Sequence, residues 1–247
     1  MIIAYVMDMD INADFAQPVF IKTQQLGWVP SPMAGVDRRM LDRVGDEVAR
    51  ATSIVRYAEN SAFARHTHSG GEEFIVLDGV FSDEHGDYPA GTYVRNPVGT
   101  NHVPHSADGC TIFVKLWQFD PDDQAQVTLD LNGLVHTPDP LRAGVRTAML
   151  ADRDYEQVVS EQWDGNAAHR LSETGGFELL VIDGDIEVSG ETYGRHDWIR
   201  LPGGGKAADS AADKGVQITA GADGAHVWIK RGHLGQIRVP QAPPRAG

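Results

Sequence analysis

The second half of this 247-residue chain repeats the first half at an offset of 105 residues. Residues Gly70–Gly79 align with Gly175–Gly184, and Tyr93–Gly99 align with Trp198–Gly204. The first pair of segments holds an apolar run that ends in Asp-Gly, which is typical of a strand entering a tight turn. A repeat of this length predicts two copies of one domain, and apolar runs bounded by turns predict that the chain is all-β.

The length and the turn residues agree with this division. A chain of 247 residues is comfortable for two domains of ordinary size, and 27 glycines with 13 prolines suit many turns between short strands. Acidic residues and prolines are concentrated between Asp120 and Pro140. We therefore predict a first domain at 1–125, a linker at 126–140 and a second domain at 141–247.

Potential metal ligands form two clusters in the first half. His66 and His68 are two residues apart, and Glu72 follows after a glycine-containing kink. Because side chains two apart on a strand point to the same face, both imidazoles are expected to share one cavity. A proline-glycine turn at 97–99 then brings His102 to the start of another strand. Three imidazoles and one carboxylate suit iron(II), manganese, zinc, nickel or copper better than calcium or magnesium.

These residues resemble the two motifs of the cupin superfamily, G-x5-H-x-H-x3-E-x6-G and G-x5-P-x-G-x2-H-x3-N. Two positions depart from the motifs, because Asn60 replaces the first glycine and Ser106 replaces the final asparagine. Neither position is a ligand. The segment 71–97 resembles one branch more closely, the cupin domain of ChrR-type anti-sigma factors, within a similarity that covers mainly residues 20–120. The resemblance implies a bicupin, with two tandem jelly-roll barrels.

The resemblance also implies which residues hold the metal. It assigns His66, His68, Glu72 and His102 as ligands, and the metal of the ChrR cupin is zinc. We expect one divalent transition metal in the first barrel, either zinc or iron(II), with manganese and nickel as further possibilities. No catalytic residue is predicted.

The second barrel is predicted to be metal-free. At the offset of the repeat, the four ligand positions hold Leu171, Glu173, Phe177 and Ala207. One remaining carboxylate does not hold a transition metal alone. The turns and apolar strands of the repeat therefore maintain the fold, whereas the histidines of the first half have another purpose.

Two further residues, His105 and Arg95, could lie near the predicted metal site. His105 lies near His102 but at the opposite strand parity, so whether it faces the metal is open. Arg95 could line the pocket, but the metal-free half repeats it as Arg200, which favours a role in the fold.

Charge and composition limit the possible partners. The net charge of −14 argues against nucleic acid or an anionic membrane surface, because both would repel the chain. No apolar stretch of about 20 residues predicts a membrane span. A single cysteine and an N-terminus without a basic region predict a cytoplasmic protein. We expect a small-molecule ligand, and exposed barrel edges make a homodimer our expectation.

Two functions remain open from the sequence. The proposed ligand shell leaves one or two positions for a substrate or O2, which indicates a metal-dependent, dioxygenase-like enzyme. The ChrR resemblance instead indicates a sensor or regulatory module without turnover. ChrR-type anti-sigma factors hold sigma factor through a helical domain with a histidine and a Cys-x-x-Cys pair. Since this chain has one cysteine, we do not expect it to sequester a sigma factor in that way.

Overall fold

The computed structural model describes residues 9–46, 48–203 and 215–240. These residues contain no α-helix, and their regular structure is strand apart from short 3-10 turns. The strands are β1 (Val19–Ile21), β2 (Val29–Pro30), β3 (Val36–Val44), β4 (Arg50–Tyr57), β5 (Ser61–Ala62), β6 (His66–Thr67), β7 (Glu72–Asp83), β8 (Gly86–Pro89), β9 (Thr92–Asn96), β10 (Asn101–His102), β11 (His105–Ser106), β12 (Cys110–Leu116), β13 (Val127–Asp130), β14 (Thr137–Pro138), β15 (Val145–Arg153), β16 (Glu156–Trp163), β17 (Ala168–Leu171), β18 (Phe177–Val188), β19 (Glu191–Tyr193), β20 (Trp198–Leu201) and β21 (Val216–Arg231). The 3-10 turns are Thr23–Gln25, Leu131–Gly133 and His233–Gly235.

The first compact unit is built mainly from Gly27–Asn132. Its main sheet has the strand order β13-β9-β7-β12-β4-β3-β2, with β5, β8 and β11 attached to it, and β10 pairs separately with β6. Alternate residues of the long strands face an apolar interior, as the two-residue period of a strand requires. Val36, Val55, Phe74 and Ile112 belong to this buried cluster.

The second compact unit contains Asp14–Leu26 and Gly133–Ile237. Its sheet has the order β1-β20-β18-β21-β16-β15-β14, with β17 on β21 and β19 on β18. The interior is closed by fully buried apolar side chains, among them Leu179, Ile199 and Val227. Both units are jelly-roll-like, and the all-β bicupin prediction is confirmed.

The strands reproduce the repeat seen in the sequence. β7 and β18 are both 12 residues long and begin at Glu72 and Phe177, an offset of 105 residues. β7 lies between β9 and β12, and β18 lies between the corresponding β20 and β21. The same apolar pattern therefore forms the same central strand in each unit.

The unit boundaries differ from the predicted domain boundaries in two places. Residues Asp14–Leu26 belong to the second unit, where β1 pairs with β20. The predicted linker at 126–140 contains β13, which pairs with β9 of the first unit, and β14, which pairs with β15. β13 and β1 thus complete corresponding edges of the two sheets. An edge strand presents unpaired backbone groups that any extended segment satisfies, so local composition does not reveal which segment does so.

No helix in the described ranges combines the length and the apolar character that crossing a membrane demands.

Candidate metal centre

The four predicted ligands converge in the first unit. His66 lies on β6, directly opposite His102 on β10. His68 follows β6, and Glu72 is the first residue of β7. One nitrogen or oxygen of each side chain falls within a group whose members all lie within 4.8 Å of one another. The structure brings the four residues together, and their role as metal ligands stays a prediction.

The backbone between the clusters is shaped for this convergence. Gly71 has φ +76°, and an added Cβ would lie 2.4 Å from the Phe119 ring, so only glycine fits this kink before Glu72. The turn after Pro97 is joined to the first cluster by backbone hydrogen bonds. The amide of His68 donates to the carbonyl of Thr100 at 2.8 Å, and the amide of Gly99 donates to the carbonyl of His68 at 3.0 Å.

The spacing of the ligand atoms fits a single ion. His68 Nε2 lies 3.2 Å from His102 Nε2 and 3.3 Å from Glu72 Oε2, and His102 Nε2 lies 3.6 Å from Glu72 Oε2. The His66 ring centroid is 5.1 Å from that of His68 and 4.9 Å from that of His102. Ligands about 2.1 Å from a shared metal, at tetrahedral or octahedral angles, lie roughly 3.0–3.4 Å apart. The donor set therefore fits one transition-metal ion.

The hydrogen bonds behind two imidazoles fix their tautomers. The Thr100 hydroxyl donates to the Pro97 carbonyl at 2.7 Å, so it accepts the hydrogen of His68 Nδ1 at 3.0 Å. Asp83 Oδ2 lies 3.0 Å from His102 Nδ1, and a carboxylate accepts a hydrogen there. Both Nδ1 atoms carry the proton, which leaves both Nε2 lone pairs for the metal.

The third imidazole has the same orientation. His66 Nδ1 lies 3.2 Å from the backbone carbonyl oxygen of Ala64, which accepts its hydrogen. Three Nε2 lone pairs and one carboxylate oxygen therefore face one another at the centre of the cluster. Lone pairs at such distances repel each other unless a cation lies between them, so this donor set is suited to a metal.

Burial favours the neutral form of two imidazoles in the cluster, those of His68 and His102. It lowers the pKa of His68 from 6.5 to about 4 and also lowers the pKa of His102. A neutral imidazole is the form that binds metal, since a proton on Nε2 competes for the same lone pair. Protons therefore compete weakly with a metal at neutral pH.

The carboxylate is held by the neighbouring strand. In the register of β7 and β9, Asn96 lies opposite Glu72, and its amide nitrogen donates to Glu72 Oε2 at 3.2 Å. Gln126 in turn donates to the Asn96 side-chain oxygen at 3.2 Å. Asn96 thus contacts the same oxygen that faces the imidazoles, and this chain of amides restricts the rotation of the carboxylate.

The supporting residues Asp83, Asn96 and Thr100 were not found from the sequence. Each contacts its ligand across 19 to 32 residues of chain. No short spacing marks such a contact, because it depends on the pairing of whole strands.

His105 lies outside the cluster. It is exposed, and its Nδ1 lies 3.3 Å from the carbonyl oxygen of Val103. The question that strand parity left open is thereby answered in the structure, where His105 does not join the four ligands.

The metal cluster borders a large apolar cavity inside the first unit. The cavity has a volume of about 620 Å³, and its walls include all of the cluster except His102. Its apolar walls come from strands β3, β4 and β12, and from Phe63 and Trp117. On the other side, His68 and His102 border a polar cavity of about 450 Å³ that also contains Asp83 and Tyr88. The cluster therefore separates an apolar space from a polar one.

The corresponding place in the second unit has different chemistry. Leu171 and Phe177 are buried, and Glu173 Oε1 lies 3.6 Å from Arg231 Nε. Leu171, Glu173 and Phe177 line a smaller cavity of about 200 Å³. The fourth position, Ala207, lies outside the described residues. That the second barrel is metal-free remains a prediction.

Asp83→Asn is expected to weaken metal binding by roughly 10-fold or more, since partners of ligating histidines typically contribute 10- to 100-fold to affinity. The neutral amide accepts a weaker hydrogen bond from His102 and reduces its basicity. A competition titration of Zn²⁺ against a chromophoric chelator measures the change. Asp87→Asn is the matched control. Asp87 is exposed, and it accepts a hydrogen bond from the Ser82 hydroxyl and not from a candidate ligand. Equal affinities in the two variants would contradict the role of Asp83.

Comparisons with known proteins agree with this fold. Residues 16–120 match the family described as the ChrR cupin-like domain. A candidate dioxygenase from Nostoc punctiforme has a similar structure, with a TM-score of 0.70, 13% identity, and coverage of 93% of this chain and 88% of that one. A salicylate 1,2-dioxygenase from Pseudaminobacter salicylatoxidans has a TM-score of 0.61 and 12% identity, with coverage of 94% of this chain and 88% of that one. The bacterial pirin YhhW of Escherichia coli, solved with nickel(II), has a TM-score of 0.59 and 12% identity, with coverage of 87% of this chain and 98% of that one. No curated protein sequence matches the chain. At these identities the structural similarity shows the fold alone.

Proposed function

Because this chain is a cupin-fold protein whose residues 16–120 match the ChrR cupin-like domain, we propose that its first barrel is a metal-dependent oxygenase. It would bind one divalent transition metal, iron(II) for the oxidation itself, through His66, His68, Glu72 and His102. The substrate would be a small and largely apolar molecule that is oxidised with O2.

The observation that carries this proposal is the position of the donor set on the wall of an apolar cavity. A purely structural metal site is closed by its ligands and needs no adjoining space. Here the cavity of about 620 Å³ lies within the usual range of small-molecule sites. Three imidazoles and a carboxylate also leave open positions on an octahedral ion, as a reaction with O2 requires.

The residues of the chain have separate tasks in this proposal. A bound iron(II) ion would supply one-electron chemistry and Lewis acidity. Asp83 and Thr100 hold two of the imidazoles in the ligating tautomer. Asn96 orients the carboxylate of Glu72. The apolar walls exclude water from the reacting molecule, which protects reactive species from side reactions.

A non-catalytic sensor of the ChrR type is the second candidate, and the family match at residues 16–120 is the observation that favours it. In that case the metal would be zinc, and binding of a small molecule or an oxidant would replace turnover. The same donor set serves both functions, so the experiment has to separate them by activity.

Oxygen uptake by the iron(II)-loaded protein tests the proposal. We expect uptake with at least one member of a panel of β-diketones, hydroxyketones and aromatic acids, since these molecules fit the cavity and offer oxygen atoms to the metal. The measurement uses an oxygen electrode after anaerobic loading with iron. The zinc-loaded protein is the control and should show no uptake. Uptake absent across the panel would overturn the oxygenase and favour the sensor.

A further inference from the structure

Arg38 is a charged side chain on the wall of the apolar cavity. It lies on β3 two residues after Val36, which belongs to the buried cluster, so both side chains point inward. Arg38 is paired in register with Val55 of β4, another member of that cluster. The guanidinium and the metal ligands His66, His68 and Glu72 line the same space.

No acidic partner neutralises Arg38 in the described part of the chain. No carboxylate there lies within 4 Å of its guanidinium, and its Nε is buried without a hydrogen-bond acceptor. Burial alone lowers the pKa of Arg38, with no contribution from a neighbouring charge. The positive charge of Arg38 in turn lowers the pKa of Arg43, whose pKa burial lowers first. The cavity therefore has an excess of positive charge at this position.

Two other arginines of the described residues, one fully and one partly buried, are paired with carboxylates. Arg95 lies 2.9 Å from Asp123, and Arg142 lies 2.7 Å from Glu161. Arg38 is partly buried, and partial burial of a guanidinium without a partner also costs free energy. It lacks such a carboxylate where it lines the cavity, so a bound molecule could supply the missing anion.

A second polar group faces the same cavity. Tyr57 is buried on β4, and in the described residues its hydroxyl has no hydrogen-bond partner. The negative charge of Glu72 contributes to the raised pKa of Tyr57, after burial, so the phenol stays protonated and able to donate. A cavity with apolar walls and two unpartnered donors is suited to an apolar molecule with one anionic end.

We propose that the substrate of the first barrel is a small organic carboxylate, aromatic or aliphatic, whose carboxylate binds Arg38 while its apolar part fills the cavity toward the metal cluster. This inference rests on the proposed function, since it names the class of molecule that the same site would oxidise. A guanidinium matches a planar carboxylate with two parallel hydrogen bonds. One arginine neutralises one carboxylate, and Arg65, which also lines the cavity, is already paired with Glu84 at 2.7 Å.

Binding of matched acid and amide pairs tests the proposal. The probes are benzoate with benzamide, phenylacetate with phenylacetamide, and 3-phenylpropionate with its amide. They are titrated into the full-length, zinc-loaded protein, and binding is followed by calorimetry. We expect at least one acid to bind 10-fold or more tightly than its amide. In Arg38→Met this preference should disappear, because the variant keeps the volume of the side chain and removes its charge.

Arg39→Met is the matched control. Arg39 follows Arg38 on the same strand but stacks on Trp28, with its guanidinium carbon 4.3 Å from the ring centroid, and it does not line the cavity. Its replacement should leave the acid preference unchanged. An acid preference that survives in Arg38→Met would show that the metal alone binds the anion and would overturn the proposal. Equal binding of acids and amides to the unmodified protein, or no binding of any acid, would also overturn it.

Thermal unfolding provides a second measurement that does not depend on the choice of probe. Without ligand, Arg38→Met should unfold at a higher temperature, because a costly unpaired charge is removed. A lower unfolding temperature would show that the Arg38 side chain stabilises the folded protein, and it would contradict the proposal. Neither measurement requires turnover, so missing oxygen uptake would overturn the oxygenase while the binding test still decides the carboxylate site.

Discussion

The double variant His66→Ala with His102→Ala is expected to lose the metal entirely. The unmodified protein should contain close to one divalent transition metal per chain after reconstitution, and the variant close to none. Two imidazoles on opposite, paired strands are removed, and the remaining His68 and Glu72 offer too few donors to hold a transition metal. Elemental analysis of the purified, dialysed protein measures the ratio of metal to chain.

The same variant should also lose the stabilisation that comes from metal binding. An ion present at 100 times its dissociation constant stabilises the folded state by about 2.7 kcal/mol, provided that it does not bind the unfolded chain. Thermal unfolding with and without Zn²⁺ measures this difference, which should vanish in the variant.

His105→Ala is the control for the metal measurement. His105 is a nearby histidine that is exposed and does not join the cluster, so its removal should leave the metal ratio unchanged. Two metals per chain in the unmodified protein would contradict the assignment of a single site to the first barrel. No metal after reconstitution would contradict the site itself.

The cluster of candidate ligands was predictable from the sequence because its spacing is local. His66, His68 and Glu72 lie within seven residues, and His102 follows a turn that glycine and proline mark by their restricted backbone angles. The fold was predictable because the chain repeats itself, and chance does not preserve apolar runs and turns at a fixed offset. The repeated apolar run forms a 12-residue strand in each half, β7 in the first and β18 in the second.

The support of the site was not predictable, because it depends on pairing between distant segments. Asp83 ends β7, the strand that Glu72 begins. It reaches His102 because β11, which follows His102 in the chain, pairs with the end of β7 at Ser82. The segment Asp14–Leu26 precedes Gly27–Asn132, the main part of the first unit, yet belongs to the second unit. Backbone hydrogen bonds give an edge strand little sequence specificity, so neither arrangement leaves a local signal.

The pair formed by β7 and β9 holds the candidate metal site on one face and buried charged residues on the other. On β7, Glu72 and its neighbour Glu73 point to opposite faces, as consecutive strand residues must. Their partners on β9 are Asn96 and Arg95. One face therefore holds the metal ligand and its amide support, and the other holds a buried ion cluster.

That buried cluster is centred on Arg95. Arg95 is fully buried between Asp123, at 2.9 Å, and Glu73, at 3.4 Å, and its guanidinium carbon lies 4.3 Å from the centroid of the Phe119 ring. Tyr93 donates a hydrogen bond to Glu73 at 2.5 Å. Arg95 lines neither of the two cavities beside the metal cluster, which agrees with the fold role that its repetition as Arg200 suggested.

Arg95→Met is expected to destabilise the protein by about 3–5 kcal/mol, because it leaves two carboxylates buried without their cation. Urea denaturation followed by tryptophan fluorescence measures the free energy of unfolding. Arg56→Met is the matched control, since Arg56 pairs with Asp37 on the surface and should contribute no more than about 1 kcal/mol. A loss below that control would mean that the two carboxylates are protonated or solvated in the native state. The register that places Asn96 on Glu72 would then be maintained by backbone pairing and apolar packing alone.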